Sequence, residues 1–331
     1  MNLMVNLLVV EGLVSTIIPV HNRPTMLREA VASVLAQTYR PIEIIIVDDG
    51  STDDTAAAAD ELAAVSGEEI RVIHQSNTGP GLAREAGRQT ARGEFIQYLD
   101  SDDVLLPGKF ELQVAGLNAD PQYGVSYGKT RFGRKDEASN TVPWKRTGER
   151  IDAMFPSFLQ SRWWGTSTPL YRRGVTDRAG PWLDLRNEED WEYDCRIAAQ
   201  NVLLHYVSEF VSEEREHEGQ RLSRNGSSET LKLRGRATAH GLILRHARDA
   251  GLDESVVEMQ HFARELFLLS RQCGAAGLTR ESKELFALAK EASGIERGRR
   301  WDFGLYSFLA AVLGWSLAGK LACFSDRYRR V

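Results

Sequence analysis

Cysteine is scarce in this 331-residue chain. There are three, Cys195, Cys273 and Cys323, odd in number and without metal-ligand spacing, as expected of a reducing compartment. Basic charge is not in excess either: a net charge of −5 gives no global positive field and argues against nucleic acid as a main partner. The apolar start, residues 1–10, has no Lys or Arg before its apolar run and no small-residue cleavage pattern after it. A secretory signal is therefore not expected, and the chain is read as cytoplasmic. Two glycine signatures of nucleotide folds are missing as well. Where a dinucleotide-binding fold carries Gly-x-Gly-x-x-Gly after its first strand, this chain reads Pro19-Val20-His21-Asn22-Arg23, and no Gly-x-x-x-x-Gly-Lys-Ser/Thr loop occurs.

What the chain does contain is alternation of strand and helix signals. Residues 13–20 read as a strand, after which Asn22 and Pro24 supply an N-cap and an early proline for a helix with apolar positions at Leu27, Ala30, Val31, Val34 and Leu35. Ile42-Glu43-Ile44-Ile45-Ile46-Val47 is nearly unbroken and β-branched, the pattern of a strand buried on both faces of a parallel sheet. Next come a helix over 55–65, a strand over 70–74, a glycine-marked turn at 77–81, a helix near 82–91 and a strand over 94–99. This order predicts a doubly wound α/β domain with a mostly parallel sheet. Ligands in such sheets sit at the carboxyl ends of strands. Both acidic clusters, Asp48-Asp49 and Asp100-Ser101-Asp102-Asp103, follow strand ends.

Carboxylates crowded at a strand exit repel one another unless a cation lies between them, so 100–103 suits a divalent metal and, through it, a diphosphate. An acidic turn that binds nothing is the other reading. Without a glycine cradle or a loop lysine, neutralising a diphosphate falls to a metal held by carboxylates.

Several ordered segments carry a resemblance. Ser15-Thr16-Ile17-Ile18-Pro19-Val20-His21-Asn22-Arg23, Gln37-Thr38-Tyr39, Val47-Asp48-Asp49-Gly50-Ser51-Thr52, Ala91-Arg92-Gly93-Glu94 and Leu99-Asp100-Ser101-Asp102-Asp103 look like the family 2 glycosyltransferases, with the match covering roughly residues 13–225. The resemblance implies a GT-A fold and inverting transfer from a nucleotide sugar. It puts Asp49 at the nucleotide-recognising position, where its carboxylate would accept the N3 proton of uracil or thymine, and so implies a UDP- or dTDP-sugar. Asp48 either buttresses that turn or contacts the donor directly, while Pro19, Val20, His21 and Asn22 would line the base, mainly through backbone atoms. Asp100 is expected to take the ribose hydroxyls beside Ser101, Asp102 to coordinate Mn²⁺ or Mg²⁺, and Asp103 to orient Asp102. Arg84 is counted with the donor residues, although Glu85 departs from the family's Arg-Asn pair and leaves open a pairing with Glu85 or with an Asp of the cluster.

The acceptor half, about 121–226, is less patterned. Trp163 and Trp164 stand among hydroxyls, a composition suited to sugar stacking and equally to a partly buried turn. Glu189-Asp190-Trp191 resembles the family's Glu-Asp-aromatic motif at the start of a helix. The resemblance makes Asp190 the general base and Glu189 a positioner of acceptor, with Trp191 nearby; complementing the helix dipole is the alternative for any of these acids. His217 is read as a third metal ligand or a solvent-facing histidine, and Arg221 as a residue closing over the diphosphate.

The expected division is 1–226 for the transferase domain, its donor half about 1–120, and 227–331 for a helical C-terminal region. Residues 256–271 and 279–292 read as an antiparallel helix pair. Residues 303–324 contain one charge, Lys320, and the stretch 296–331 holds seven basic and three acidic residues. A terminal apolar helix flanked by arginines fits peripheral attachment to an anionic membrane, packing or homodimerisation, or a span. The acceptor is expected to be a saccharide or lipid-linked saccharide. Two other classes fit less well: a non-catalytic nucleotide-sugar-binding scaffold, which would not require a base, and a sugar nucleotidyltransferase, which would want a glycine- and basic-rich loop where 19–23 stands.

Overall fold

The structure, a computed structural model, describes residues 8–133, 141–216 and 229–328. The chain forms two compact units. The first comprises Met1–Ala153, Trp163–Asp184 and Gln200–Glu218; the second comprises Met154–Arg162, Leu185–Ala199 and Gly219–Val331.

The first unit begins with β1 (Val10–Val20), α1 (Pro24–Leu35), β2 (Ile42–Asp49), α2 (Thr55–Ser66), β3 (Ile70–Gln75), α3 (Pro80–Thr90) and β4 (Gly93–Tyr98). It continues with β5 (Val104–Leu105), α4 (Lys109–Ala119), β6 (Tyr123–Gly133), β7 (Leu170–Arg172), α5 (Arg173–Ala179) and β8 (Leu203–Arg215). The sheet order is β3-β2-β1-β4-β7-β6-β8-β5. Strands β1 to β4 are parallel, whereas β7 runs antiparallel to both β4 and β6, and β5 antiparallel to β8.

Strand β2, apolar but for Glu43 until it ends in Asp48-Asp49, is buried at every position. Leu27, Ala30, Val31 and Val34 of α1 close one face of the sheet over Val14, Ile18, Ile44 and Ile46, each large side chain contributing about 1.5–3 kcal/mol relative to exposure. On α3, a Cβ at Gly87 would lie 2.4 Å from Ile17, so glycine is what lets that helix approach β1. The polar residue inside β2 is satisfied: Glu43 accepts from Ser15 Oγ at 2.6 Å and from Arg92 N at 2.6 Å. Burial would raise its pKa, but these bonds and the Arg71 and Arg92 guanidinium groups hold it below the ordinary range.

Register sets the site. Val20 lies beside Asp48, Asp48 beside His74, and Asp49 beside Gln75. The first helix departs from expectation at its start. Arg23, not Asn22, occupies the N-cap; Asn22 has φ 54° and spends its side chain on Thr52, whose N–H it accepts at 2.8 Å.

The second unit contains α6 (Glu189–Ala198), α7 (Glu229–Asp249), α8 (Val257–Ala275), α9 (Thr279–Ala292), α10 (Gly294–Gly298), α11 (Trp301–Leu313) and α12 (Trp315–Tyr328). Phe267 of α8 stacks on Phe303 at 4.6 Å between centroids, and Ser270 and Ser282 exchange side-chain-to-carbonyl hydrogen bonds between α8 and α9. The apolar stretch 303–324 is not one helix. Gly314, at φ 80°, ends α11 in a backbone conformation open mainly to glycine, and α12 starts afresh. Among the described residues no helix is long and apolar enough to cross a membrane.

Candidate active site

The carboxyl edge of the parallel strands gathers the donor candidates. Asp49, 4% exposed, accepts the backbone N–H groups of Thr78 and Gly79, each at 2.8 Å, and the Gln75 side-chain amide at 2.8 Å. It thereby pins the turn that opens α3 to the end of β2. Asp48 accepts Ser51 N–H at 3.1 Å and faces His74 Nδ1 at 3.0 Å. Burial pushes Asp48 up, but the bonds from Ser51 and His74 outweigh it and hold the carboxyl below its ordinary range. His74 is correspondingly raised by its bonds to Asp48 and Asp60. Pro19 and Val20 are buried at the end of β1, and His21 Nδ1 donates to the Asp49 carbonyl at 3.0 Å.

The second acidic cluster follows β4 directly. Asp100 pairs with Arg84 at 2.6 Å, and Asp102 pairs with Arg23 at 2.8 Å. Of the pairings open for Arg84, the structure makes the one with the cluster, and its guanidinium also lies 4.9 Å from the Trp182 ring centroid. Glu85 turns away to Arg88 and to Trp182 N–H. Ser101 is buried. Asp103, also buried, accepts Ser167 Oγ–H at 2.7 Å. Burial first, then the charges of Glu214, Asp102 and Asp100, push Asp103 well above the ordinary carboxylate range. Arg215 donates to the Asp102 carbonyl at 2.7 Å and pairs with Glu29.

Oxygen donors of this kind fit a hard cation such as Mn²⁺ or Mg²⁺. Asp100 and Asp102, with side chains 31% and 15% exposed, are the carboxylates of the cluster open to one, and four acids in one place leave charge for it to offset. Among the described residues no three His, Cys, Asp or Glu side chains form a complete metal site. The expected third ligand, His217, and Arg221 lie outside the described residues.

In the second unit, Glu189 and Asp190 open α6 with Glu192, three acids in the first turn. Arg162 donates to Asp190 at 2.5 Å and to Asp194 at 2.6 Å, a clamp across one helical turn. Trp191 is not an open stacking platform: its Nε1–H donates to the Phe158 carbonyl at 2.8 Å, and its ring meets His240 edge-on. Glu188, just before the helix, has φ 61° and pairs with Arg236 at 2.8 Å and His240 at 3.0 Å. Burial would raise Glu188, yet His240 and Arg236 hold it below its ordinary range.

Trp163 and Trp164 in the first unit are 2% and 0% exposed. Trp164 packs on Tyr127 and Trp163 lies under the Arg146 guanidinium, so neither indole offers a sugar an open face. Arg23, Gln75, Thr78 and Arg162 join the sites without having been assigned roles from the sequence. Their partners lie between 26 and 79 residues away or in different elements, and no local spacing announces such pairs.

Comparison with known proteins bears on the family and the fold. The family model for glycosyl transferase family 2 matches residues 15–174. An uncharacterized glycosyltransferase of Nostoc is 40% identical over 189 residues, covering 56% of this chain and 58% of that protein. One from Rickettsia felis is 35% identical over 150 residues, covering 45% of this chain and 24% of its own. The chain thus spans about a quarter to three-fifths of the length of such curated relatives. Among solved structures, residues 1–349 of Staphylococcus aureus TarS in complex with UDP-GlcNAc superpose with TM-score 0.69 at 21% identity, covering 96% of this chain and 91% of that one. A Pyrobaculum calidifontis mannosyltransferase in complex with GDP-Man and Mn²⁺ gives TM-score 0.51 at 14% identity, covering 95% of this chain and 87% of that one. At those identities the likeness is one of fold. Residues 15–174 thus match a glycosyl transferase family 2 domain, and the fold is GT-A.

Proposed function

We propose that the chain is an inverting glycosyltransferase that moves a sugar from a UDP- or dTDP-sugar to a hydroxyl of a saccharide or lipid-linked saccharide. The observation that carries the reading is the placement, at the carboxyl edge of the parallel strands, of Asp49 at the end of β2 and of Asp100 and Asp102 after β4, the last two paired with Arg84 and Arg23. Asp49 Oδ2 accepts one backbone N–H and retains a lone pair for the N3–H of a pyrimidine base. Asp100 receives the ribose hydroxyls in place of the Arg84 bond. A divalent ion, Mn²⁺ or Mg²⁺, would be held by Asp102 and would offset the charge that builds on the leaving diphosphate. Arg23 and Arg84, released from the aspartates, turn to the phosphates.

Asp190 takes the proton of the acceptor hydroxyl as that oxygen attacks the anomeric carbon from the face opposite the diphosphate. Arg162 fixes the carboxylate's orientation, and Glu189 positions the acceptor. The UDP-GlcNAc complex of TarS supports a uridine donor, and the Mn²⁺ of the mannosyltransferase complex supports a divalent ion. The GDP-Man in that complex makes the base worth testing directly.

Melting the protein against a panel of nucleotide sugars with Mn²⁺, with EDTA as control, tests the assignment. A uridine or thymidine sugar at about a hundred times its Kd stabilises the chain by about 2.7 kcal/mol. EDTA abolishes the shift. A response to guanosine sugars alone overturns the base assignment.

A further inference from the structure

The outward face of α11 is apolar from end to end. Phe303, Tyr306 and Ala310 are buried and mark the side facing the helical core, where Phe303 and Tyr306 meet Phe267 and Phe286. Opposite them, at spacings of four, three and four, stand Trp301, Leu305, Phe308 and Val312, between 49% and 68% exposed. A helix at a protein surface ordinarily turns polar residues outward. The one charged side chain of α11, Asp302, instead accepts its neighbour Phe303 N–H at 2.9 Å. Helix α12 repeats the pattern more briefly, with Leu317 and Leu321 exposed on either side of Lys320.

Positive charge borders this face. Lys290, Arg299, Arg300 and Lys320 are exposed, and the stretch 296–331 is net positive in a chain of net charge −5. A groove of about 470 Å³ combines both properties, with Lys290 and Arg299 in its lining together with Phe303, Gly304, Phe308 and Ala311. From Phe303 to Ala311 the helix rises about 12 Å, the length of a short acyl segment.

We propose that this face of α11 lies on an anionic phospholipid bilayer. Headgroup phosphates pair with Arg299, Arg300 and Lys290, and Trp301, Leu305 and Phe308 sink among the upper acyl carbons. Charge complementarity selects this occupant over a second copy of the chain. A two-fold pairing of identical faces would bring the same cations together, with like-charge repulsion. The helix lies in the membrane plane, and the inference does not depend on the transfer chemistry proposed above.

Flotation of the full chain with vesicles tests it. At about 0.1 M salt the chain floats with vesicles of phosphatidylcholine containing about 30% phosphatidylglycerol, stays at the bottom with phosphatidylcholine alone, and is released as salt rises. Trp301 fluorescence shifts to the blue only with the anionic vesicles. F308E and the double variant R299E/R300E each lower vesicle binding about tenfold or more, with circular dichroism and melting midpoint unchanged because these side chains are exposed. Should F308E fold poorly, the arginine pair, outside the helix body, carries the test. No flotation, equal flotation with both vesicle types, or a dimer in light scattering that F308E dissolves without any flotation, each overturns the proposal.

Discussion

Asp49 accepts four hydrogen bonds within its own unit: from Gln75, from Thr78 N–H and Oγ1–H, and from Gly79 N–H. It acts first as the clasp of the turn before α3, and any contact with a base adds to that. Asn at this position keeps one acceptor oxygen and sets an amide N–H₂ against a backbone donor. Asp49→Asn therefore lowers stability by about 1–2 kcal/mol in a urea melt without ligand. Asp102→Asn costs less, because its partner Arg23 retains 20% exposure and water can take over. An Asp49→Asn melt identical to wild type would refute the clasp. The position of Asp49 was legible because the apolar run of β2 stops there. Its partners were not, since Thr78 and Gly79 lie 29 and 30 residues on. The same holds for Arg162, 28 residues before Asp190, while the burial of Trp163 and Trp164 depends on neighbours such as Tyr127 and Arg146 that only the fold supplies.

Among the elements, α6 owes its placement to α7. Glu188 sits in a left-handed conformation at the helix entrance, held by Arg236 and His240, and one turn further Glu192 meets His246 at 2.9 Å. Glu188→Gln loosens the turn that carries Asp190, so kcat falls about 10- to 100-fold while KM for the donor is unchanged. A matching rise in donor KM would instead make Glu188 part of donor binding. The pH dependence has a definite sign. Because the folded-state pKa of Glu188 is depressed below 4.5, its contribution to stability is present in full above about pH 4.5 and is lost as pH falls through the lower folded value. The stability gap between wild type and Glu188→Gln accordingly closes as the medium turns acid. Strands β1 to β4 and helices α8 and α9 were readable because two-sided burial and one-sided packing leave distinct periodicities. Strands β5 to β7 left little trace, and β8 runs through Glu209, Glu213 and Glu214 and shifts register against β6, which blurs its strand pattern. Composition alone made 303–324 look continuous; the backbone freedom of Gly314 divides it.

For the molecule as a whole, the proposed labour is divided between two compact units. The aspartates proposed to bind the nucleotide and their arginines belong to the first, within the stretch matched to the family, 15–174; Asp190, its clamp Arg162 and the helix that carries it belong to the second. Donor binding and proton removal should therefore separate by mutation. Asp190→Asn removes the base but none of the donor's contacts, so transfer falls about 10²- to 10⁴-fold. The melting shift with a nucleotide sugar and Mn²⁺ stays at the wild-type value. Asp102→Asn loses both the transfer and the metal-dependent part of that shift. Measuring both quantities on both variants tests the division without reference to which sugar moves. If Asp190→Asn keeps transfer within about threefold of wild type, the proton goes to another group, and Glu189 is the next carboxylate to examine. If Asp190→Asn loses the donor shift too, the second unit contributes to donor binding itself, and the division fails.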